Sequence, residues 1–279
     1  MDWLTEHKIP VGRWLADGVD WMTDNLTVVF SAMEIVFEAL IDGLLAVLQF
    51  PPALVTAVLI AGLAFALRRS WRLALGAFVA LLFIINQGYW EETTETLALV
   101  LAASTICMAL GVPAGIYLAH RKRAYALARP VLDLMQTLPT FVYLIPAIIF
   151  FGIGMVTGLV ATIVFVIPAA IRNTQLGVAS TPADLLEASN AFGATRLQRL
   201  WTVELPHAFP NIMAGLTQTI MLSLSMVVIA ALVGADGLGK PVVRALNTVN
   251  SALGFEAGLV IVVVAILLDR LLTFTVKRS

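Results

Sequence analysis

Charge is scarce in this chain. Only 13% of its 279 residues are Asp, Glu, Lys or Arg, where a soluble domain carries about 25%. Between Leu134 and Ile171 there is none at all. This excludes a soluble globular fold. Cysteine is nearly missing too: Cys107 stands alone in an apolar run, so no disulfide can form within the chain and the redox compartment cannot be read from it. The three histidines, His7, His120 and His207, are far apart and lack metal-ligand spacing, so no metal site is expected. Nor is there a basic n-region. Asp2 and Glu6 stand where one should be and no apolar h-region follows directly, so the first hydrophobic spans are expected to serve as the insertion signal. Ten-residue alternating segments, the mark of a closed β-barrel, do not occur.

What the chain does have is apolar length. Apolar residues make up 60% of it, and the mean hydropathy is +0.93. A spanning helix needs about 20 mostly apolar residues. Seven stretches qualify as expected spans, at 51–67, 73–90, 97–118, 133–152, 156–173, 211–233 and 256–275. The uncharged run from Leu134 to Ile171 is about twice one crossing. Gly152-Ile153-Gly154 and Gly158 mark a turn in its middle, so it reads as a hairpin. The fold class is an all-α polytopic membrane helical bundle: about seven transmembrane helices and an N-terminal interfacial amphipathic helix.

Basic residues near span ends set the orientation. Arg68, Arg69, Arg72, Arg121, Lys122, Arg123, Arg129, Arg172, Arg196, Arg199, Arg270, Lys277 and Arg278 fall on one side, expected to be the cytoplasm. Lys8, Arg13, Lys240 and Arg244 fall on the other, together with Glu91, Glu92 and Glu95. An odd number of spans places the N-terminus outside and the C-terminus in the cytoplasm of a bacterial plasma membrane. Basic clusters such as His120-Arg121-Lys122-Arg123 are topology signals first, and contacts with anionic lipid second.

Residues 1–50 read as a separate arm. Within them 25–50 is amphipathic, with Glu34, Glu38 and Asp42 four apart and Ser31 and Gln49 on the same stripe. Pro51-Pro52 stops the helix. An interfacial helix on the outer leaflet fits this pattern. An eighth span with its acids turned inward is the alternative, at about 2.5 kcal/mol or more per buried carboxylate. Residues 51–279 form the transmembrane domain.

The longest polar interval between spans is 172–210, on the cytoplasmic side. Thr181-Pro182 is an expected helix start, with Thr181 as N-cap, Pro182 at the first helical position and Asp184 near the N-terminus. Gly193 fits a C-terminal cap. Thr195 can cap a second short helix through Leu197, Leu200, Trp201 and Val203, which Leu205-Pro206 is expected to end. The small residues Ala188, Ala191 and Gly193 permit close approach by a partner. Glu187 can pair with a basic group, and Phe192 and Trp201 offer apolar anchors. Together they suit helix-in-groove docking.

The run Glu187-Ala188-Ser189-Asn190-Ala191-Phe192-Gly193, followed nine residues later by Val203-Glu204-Leu205-Pro206, resembles the EAA loop of ABC-importer permeases. Ser189 and Val203 are small departures from that pattern. Further stretches resemble the permease subunit of glycine betaine and proline betaine importers, the ProW-type. These are 132–139 with Phe141-Val142-Tyr143-Leu144, then 151–154, 211–215, 218–228 and 254–258. Leu268-Asp269-Arg270 and the N-terminal 9–14 belong with them. The resemblance covers nearly the whole chain. It implies a non-catalytic permease that acts with a second copy of itself, two ATPase subunits and an external substrate-binding protein. ATP and Mg²⁺ would be held by the ATPase, leaving no cofactor here. The implied cargo is a quaternary-ammonium osmolyte such as glycine betaine, choline or proline betaine. An amino acid or sulfonate is the alternative cargo within transport, and an ATP-independent secondary transporter the alternative class.

The candidate path is lined by uncharged polar residues at membrane depth: Gln136, Thr137, Tyr143, Gln218, Thr219, Ser223 and Ser225. Hydrogen bonding between helices would occupy the same residues. A proton-coupled pump normally carries Asp, Glu or His within its spans. Gly234 to Lys240 spells the start of a phosphate loop, but Pro241 replaces the Ser or Thr that would hold Mg²⁺, so nucleotide is not expected there. Gly111 and Gly115 make a helix-packing pair. No nucleic-acid signature is present.

Overall fold

The structure, a computed structural model, describes residues 10–272, and every regular element among the described residues is helical. In hydrocarbon each backbone N–H and C=O must be satisfied within the protein, and helices do this segment by segment. In chain order the helices are α1 (Val11–Gln49), α2 (Ala53–Arg68), α3 (Trp71–Asn86), α4 (Trp90–Ala119), α5 (Lys122–Thr137) and α6 (Thr140–Phe151). Then come α7 (Met155–Ala179), α8 (Ala183–Ala191), α9 (Arg196–Arg199), a π-helical turn (Leu200–Glu204), α10 (Leu205–Ala231), α11 (Gly239–Thr248) and α12 (Ser251–Leu272). Four are long and apolar enough to cross a membrane: α4, α7, the unbroken run Arg196–Ala231 that contains α10, and α12. The number rises to six if each of two sharply bent pairs counts as one span. The all-α membrane bundle expected from the sequence is the one formed.

The centre is α7, packed along α4 on one side and α10 on the other. Small residues set these approaches. A Cβ at Gly111 would lie 2.6 Å from the Ala170 Cβ, and one at Gly115 would lie 2.6 Å from the Thr174 Cβ. A Cβ at Gly158, Gly177 or Gly215 would lie 2.9, 2.8 or 2.9 Å from the Cβ of Ala230, Asn211 or Asn173 respectively. Helices in lipid associate chiefly by such packing, because lipid tails are as apolar as leucine. The helices α2, α3 and α12 gather beside α4 and α10 around Leu81, Ile84, Val260 and Val264.

Four sequence expectations need correction. The amphipathic stretch expected over 25–50 is the second part of a longer helix that begins at Val11. A local break at Leu26 (φ −115°, ψ 15°) marks the expected start. Thr23, Asn25 and Thr27 there bond the carbonyls four residues back, a habit that bends helices. From Phe30 on, α1 lies against the bundle. Phe30 stacks on Phe150 at 4.3 Å, Ile41 is buried with Ala102, Ala103 and Leu159, and the Gln49 amide donates to Thr94 Oγ1 at 2.8 Å. Glu38 and Asp42 face outward.

The expected span at 133–152 is not one helix. Its first residues end α5, and the chain turns through 95° into α6. Leu138 and Pro139 are extended there (ψ 137° and 133°), because a residue before proline is driven out of the helical region. The third and fourth corrections concern the polar loop, described next. The glycine turn between α6 and α7 is where the sequence places it: Gly152 has φ 71°, and the Gly154 N–H donates to the Val233 carbonyl at 2.9 Å.

Candidate functional site

The polar loop is a hairpin whose two feet touch. Gly177 at the end of α7 meets Ala208 and Asn211 at the start of α10. From these feet α8 and α9 project away from the bundle. Thr181 does not cap α8, which is the third correction. Its hydroxyl bonds the Val178 carbonyl at 2.9 Å and so finishes α7, while Pro182 stands at the N-cap position without a side-chain bond. At the far end Gly193 takes φ 74°, a left-handed conformation that glycine adopts cheaply. The Gly193 and Ala194 N–H groups close the turn on Asn190 and Ser189. Thr195 caps α9 as expected, in a reciprocal capping box with Gln198.

Leu205-Pro206 does not end this second helix, contrary to expectation: the helix runs on unbroken into α10. Proline lacks the N–H for an α-helical bond and its ring crowds the carbonyl four residues back. The π turn at Leu200–Glu204 widens the helix just before Pro206, and the Leu205 N–H donates to Leu200, five residues back. The proline is accommodated rather than terminal.

Almost nothing on the hairpin is covered. No residue of α8 is buried, and Glu187, Ala188 and Ala191 are exposed. Phe192 is 92% exposed, Trp201 66% and Leu197 65%. A capped, glycine-closed turn thus holds large apolar side chains uncovered.

One polar cluster in the hairpin escaped the sequence reading. The Glu204 carboxylate is buried at the base of the hairpin, 2.9 Å from Arg199 Nε and 2.7 Å from His120 Nε2. Arg199 Nη1 also donates to Asn190 Oδ1 at 3.1 Å. Residues five apart do not share a face of an α-helix, so Arg199 and Glu204 gave no pairing signal.

The candidate path residues fall into two groups. Thr219 and Ser223 are fully buried and donate to carbonyls of their own helix at 2.8 Å. Gln218 and Ser225 lie on the exposed side of α10, and Gln218 Oε1 accepts from Asn173 Nδ2 of α7 at 2.9 Å. Tyr143 donates to the Met135 carbonyl at 2.8 Å, tying α6 to α5 across the 95° bend. Thr137 closes on the Leu134 carbonyl at 3.3 Å and Gln136 is half-buried nearby. Next to the bend, Arg172 Nη2 of α7 bonds Asp133 Oδ1 at 2.5 Å.

The phosphate-loop look-alike at Gly234–Lys240 is a packing turn. The Leu238 N–H donates to Thr96 Oγ1 at 2.8 Å, Lys240 pairs with Asp236, and Gly239 rests against the Val227 carbonyl.

The chain is thus a bundle of glycine-packed membrane helices, two of which, α7 and α10, are joined by an exposed hairpin. Residues 111–279 match the family described as "Binding-protein-dependent transport system inner membrane component", and the chain belongs to it. Its curated relatives include the glycine betaine transport system permease protein OpuAB of Bacillus subtilis, 44% identical over 95% of this chain and 93% of that protein. The glycine betaine/proline betaine permease ProW of Escherichia coli is 43% identical over 95% of this chain and 75% of that protein. The glycine betaine/carnitine permease GbuB of Listeria monocytogenes is 44% identical over 94% of each. Among solved structures, an inward-facing form of the MetNI methionine ABC transporter shares the fold. The TM-score is 0.59 at 23% identity, over 65% of this chain and 91% of that one.

Proposed function

We propose that this chain is the permease subunit of an ATP-driven importer for a quaternary-ammonium compatible solute, with glycine betaine first among the candidates and choline and proline betaine next. The names of the relatives support the cargo. The single observation that carries the mechanism is the solvent-held hairpin, footed on α7 and α10 at Gly177. In this reading Glu187, Ala188, Ala191, Phe192, Gly193, Trp201, Leu205 and Pro206 form the surface on which a separate ATPase seats. The chain hydrolyses nothing itself. ATP and Mg²⁺ belong to the two ATPase subunits, a second copy of the chain completes the pore, and an external binding protein delivers the solute. Closure of the ATPases moves the hairpins, and α7 and α10 carry that movement into the spans. The coupling is a free energy shared between two sites and is reciprocal.

The remaining assignments follow from the same picture. Gln136, Thr137, Tyr143, Gln218, Thr219, Ser223 and Ser225 supply the weakly binding polar groups of the path, Gln218 and Ser225 foremost by exposure. The hairpin faces the cytoplasm, the N-terminus lies outside, and α1 from Phe30 on braces the bundle at the outer leaflet as part of the expected 1–50 arm, of which residues 1–9 lie outside the described residues.

Substitution Gly193→Arg tests the docking surface, since it places a long charged side chain at a left-handed position in the turn. We expect solute uptake in proteoliposomes holding all subunits to vanish while membrane insertion stays normal. Normal uptake by this variant would reject the docking role. The same vesicles identify the cargo: ATP-dependent uptake of an amino acid or sulfonate, with none of the betaines or choline, would reject the proposed solute class. Uptake by the chain without any ATPase would reject the permease reading altogether.

A further inference from the structure

We propose that Glu204 is a positioning residue that locks the hairpin to the end of α4, so that α4, α10 and the hairpin move as one body. The inference rests on the docking role proposed above and adds to it the route by which movement leaves the hairpin.

Glu204 is the one acidic residue among those described that is buried. A carboxylate out of water is costly unless every oxygen is engaged. Both are. Oε1 accepts from Arg199 Nε at 2.9 Å and Oε2 meets His120 Nε2 at 2.7 Å. The histidine is itself fixed, because its Nδ1 lies 2.8 Å from the Ile116 carbonyl. A carbonyl only accepts, so Nδ1 carries a hydrogen, and the contact between Nε2 and the carboxylate is a hydrogen bond only with one further proton between them. The contact is therefore charge-assisted or proton-sharing, and stronger than a neutral pair.

The connectivity gives this cluster its mechanical meaning. His120 caps the end of α4, Glu204 ends the π turn that leads into α10, and Arg199 belongs to α9. Through Arg199 Nη1 the chain of bonds reaches Asn190 on α8. Thus four side chains, His120, Glu204, Arg199 and Asn190, join both hairpin helices to a spanning helix 84 residues away in sequence from Glu204. The π turn is what permits it: bonding from i to i+5 stacks residues five apart, which brings Arg199 and Glu204 to the same side. None of the exposed apolar side chains takes part, so the lock is separate from the docking surface.

The test uses the complete transporter, permease with its ATPase and binding protein, in proteoliposomes, with solute moved per ATP hydrolysed as the readout. For Glu204→Ala we expect the ATPase to remain bound while this ratio falls about tenfold, within the usual span of coupling free energies. His120→Leu should fall equally, and the double variant no further than either single one. His120→Gln keeps an N–H donor toward Glu204 and should stay within about twofold of the wild-type ratio. An unchanged ratio in Glu204→Ala or in His120→Leu overturns the lock. So does loss of the ATPase from Glu204→Ala, which would make Glu204 a support of the docking surface only. Should Glu204→Ala fail to insert, the contrast between His120→Leu and His120→Gln decides alone: equal ratios overturn the proposal. The two readings fail separately. Active Gly193→Arg removes the docking role, whereas inactive Gly193→Arg beside a normally coupled Glu204→Ala removes only the lock.

Discussion

Single glycines decide how close the central helices come. At Gly115 a Cβ would stand 2.6 Å from the Thr174 Cβ and 2.7 Å from the Ile171 carbonyl oxygen. Both belong to α7, whose backbone cannot retreat without releasing α10. Gly115→Val is expected to cost about 1–3 kcal/mol, the usual penalty of overpacking, read as a lower thermal midpoint in detergent. Gly258→Ala, where nothing lies within 4 Å of the added carbon, should leave the midpoint unchanged. The Gly111–Gly115 pair was legible in sequence because its four-residue spacing marks one helix face. Glu204 was not, because an acid beside Leu-Pro reads as the polar edge of a loop until the π turn carries it inward. Thr181 misled for a related reason. A threonine before proline has two backbone groups within reach, the helix ahead and the helix behind, and sequence does not choose between them.

Whole helices were legible where apolar length and a breaker coincided, and less so where direction mattered. Gly152 to Gly154 turned the chain as the sequence indicated. Leu138-Pro139 was hidden inside an uncharged run, since hydropathy registers depth but is blind to a 95° bend. Pro51-Pro52 was read correctly as a stop, but the helix before it reaches back to Val11 through a stretch too polar to register as a span. The hairpin was the best-read element: Gly193 and Thr195 use local chemistry that needs no tertiary contact. Its exit was misread, because proline is a helix breaker unless the preceding turn is widened. Pro206→Ala restores an N–H that can bond the Thr202 carbonyl four residues back. The π turn should then revert to α-helix and turn Glu204 away from Arg199. Reduced uptake with the ATPase still bound is the expected result. Full uptake would show that the widened turn is dispensable.

At the scale of the whole molecule, α4 measures the distance between two ends. Gln49 meets Thr94 near its start, and His120 meets Glu204 just past its finish. Thr94 and His120 are 26 residues apart along one helix, roughly 39 Å at the usual rise, enough to clear the hydrocarbon core of a bilayer. Phe50, 91% exposed beside the first end, and Phe192, 92% exposed on the hairpin, are therefore expected on opposite sides of the membrane. In a Cys107→Ser background, Phe50→Cys should react with an impermeant maleimide added outside intact cells, and Phe192→Cys only after the membrane is opened. Reaction of both from one side would overturn the orientation read from the basic residues. Cys107 itself, fully buried against Ile163, should stay unlabelled until the protein is denatured. The feet of the hairpin add a mechanical consequence. At Gly177 α7 and α10 are in close contact at the feet of the hairpin. On the proposed docking role we expect the contact to serve as a fulcrum, so that a load on Phe192 becomes torque on both shafts, with the length of α8 as the lever arm.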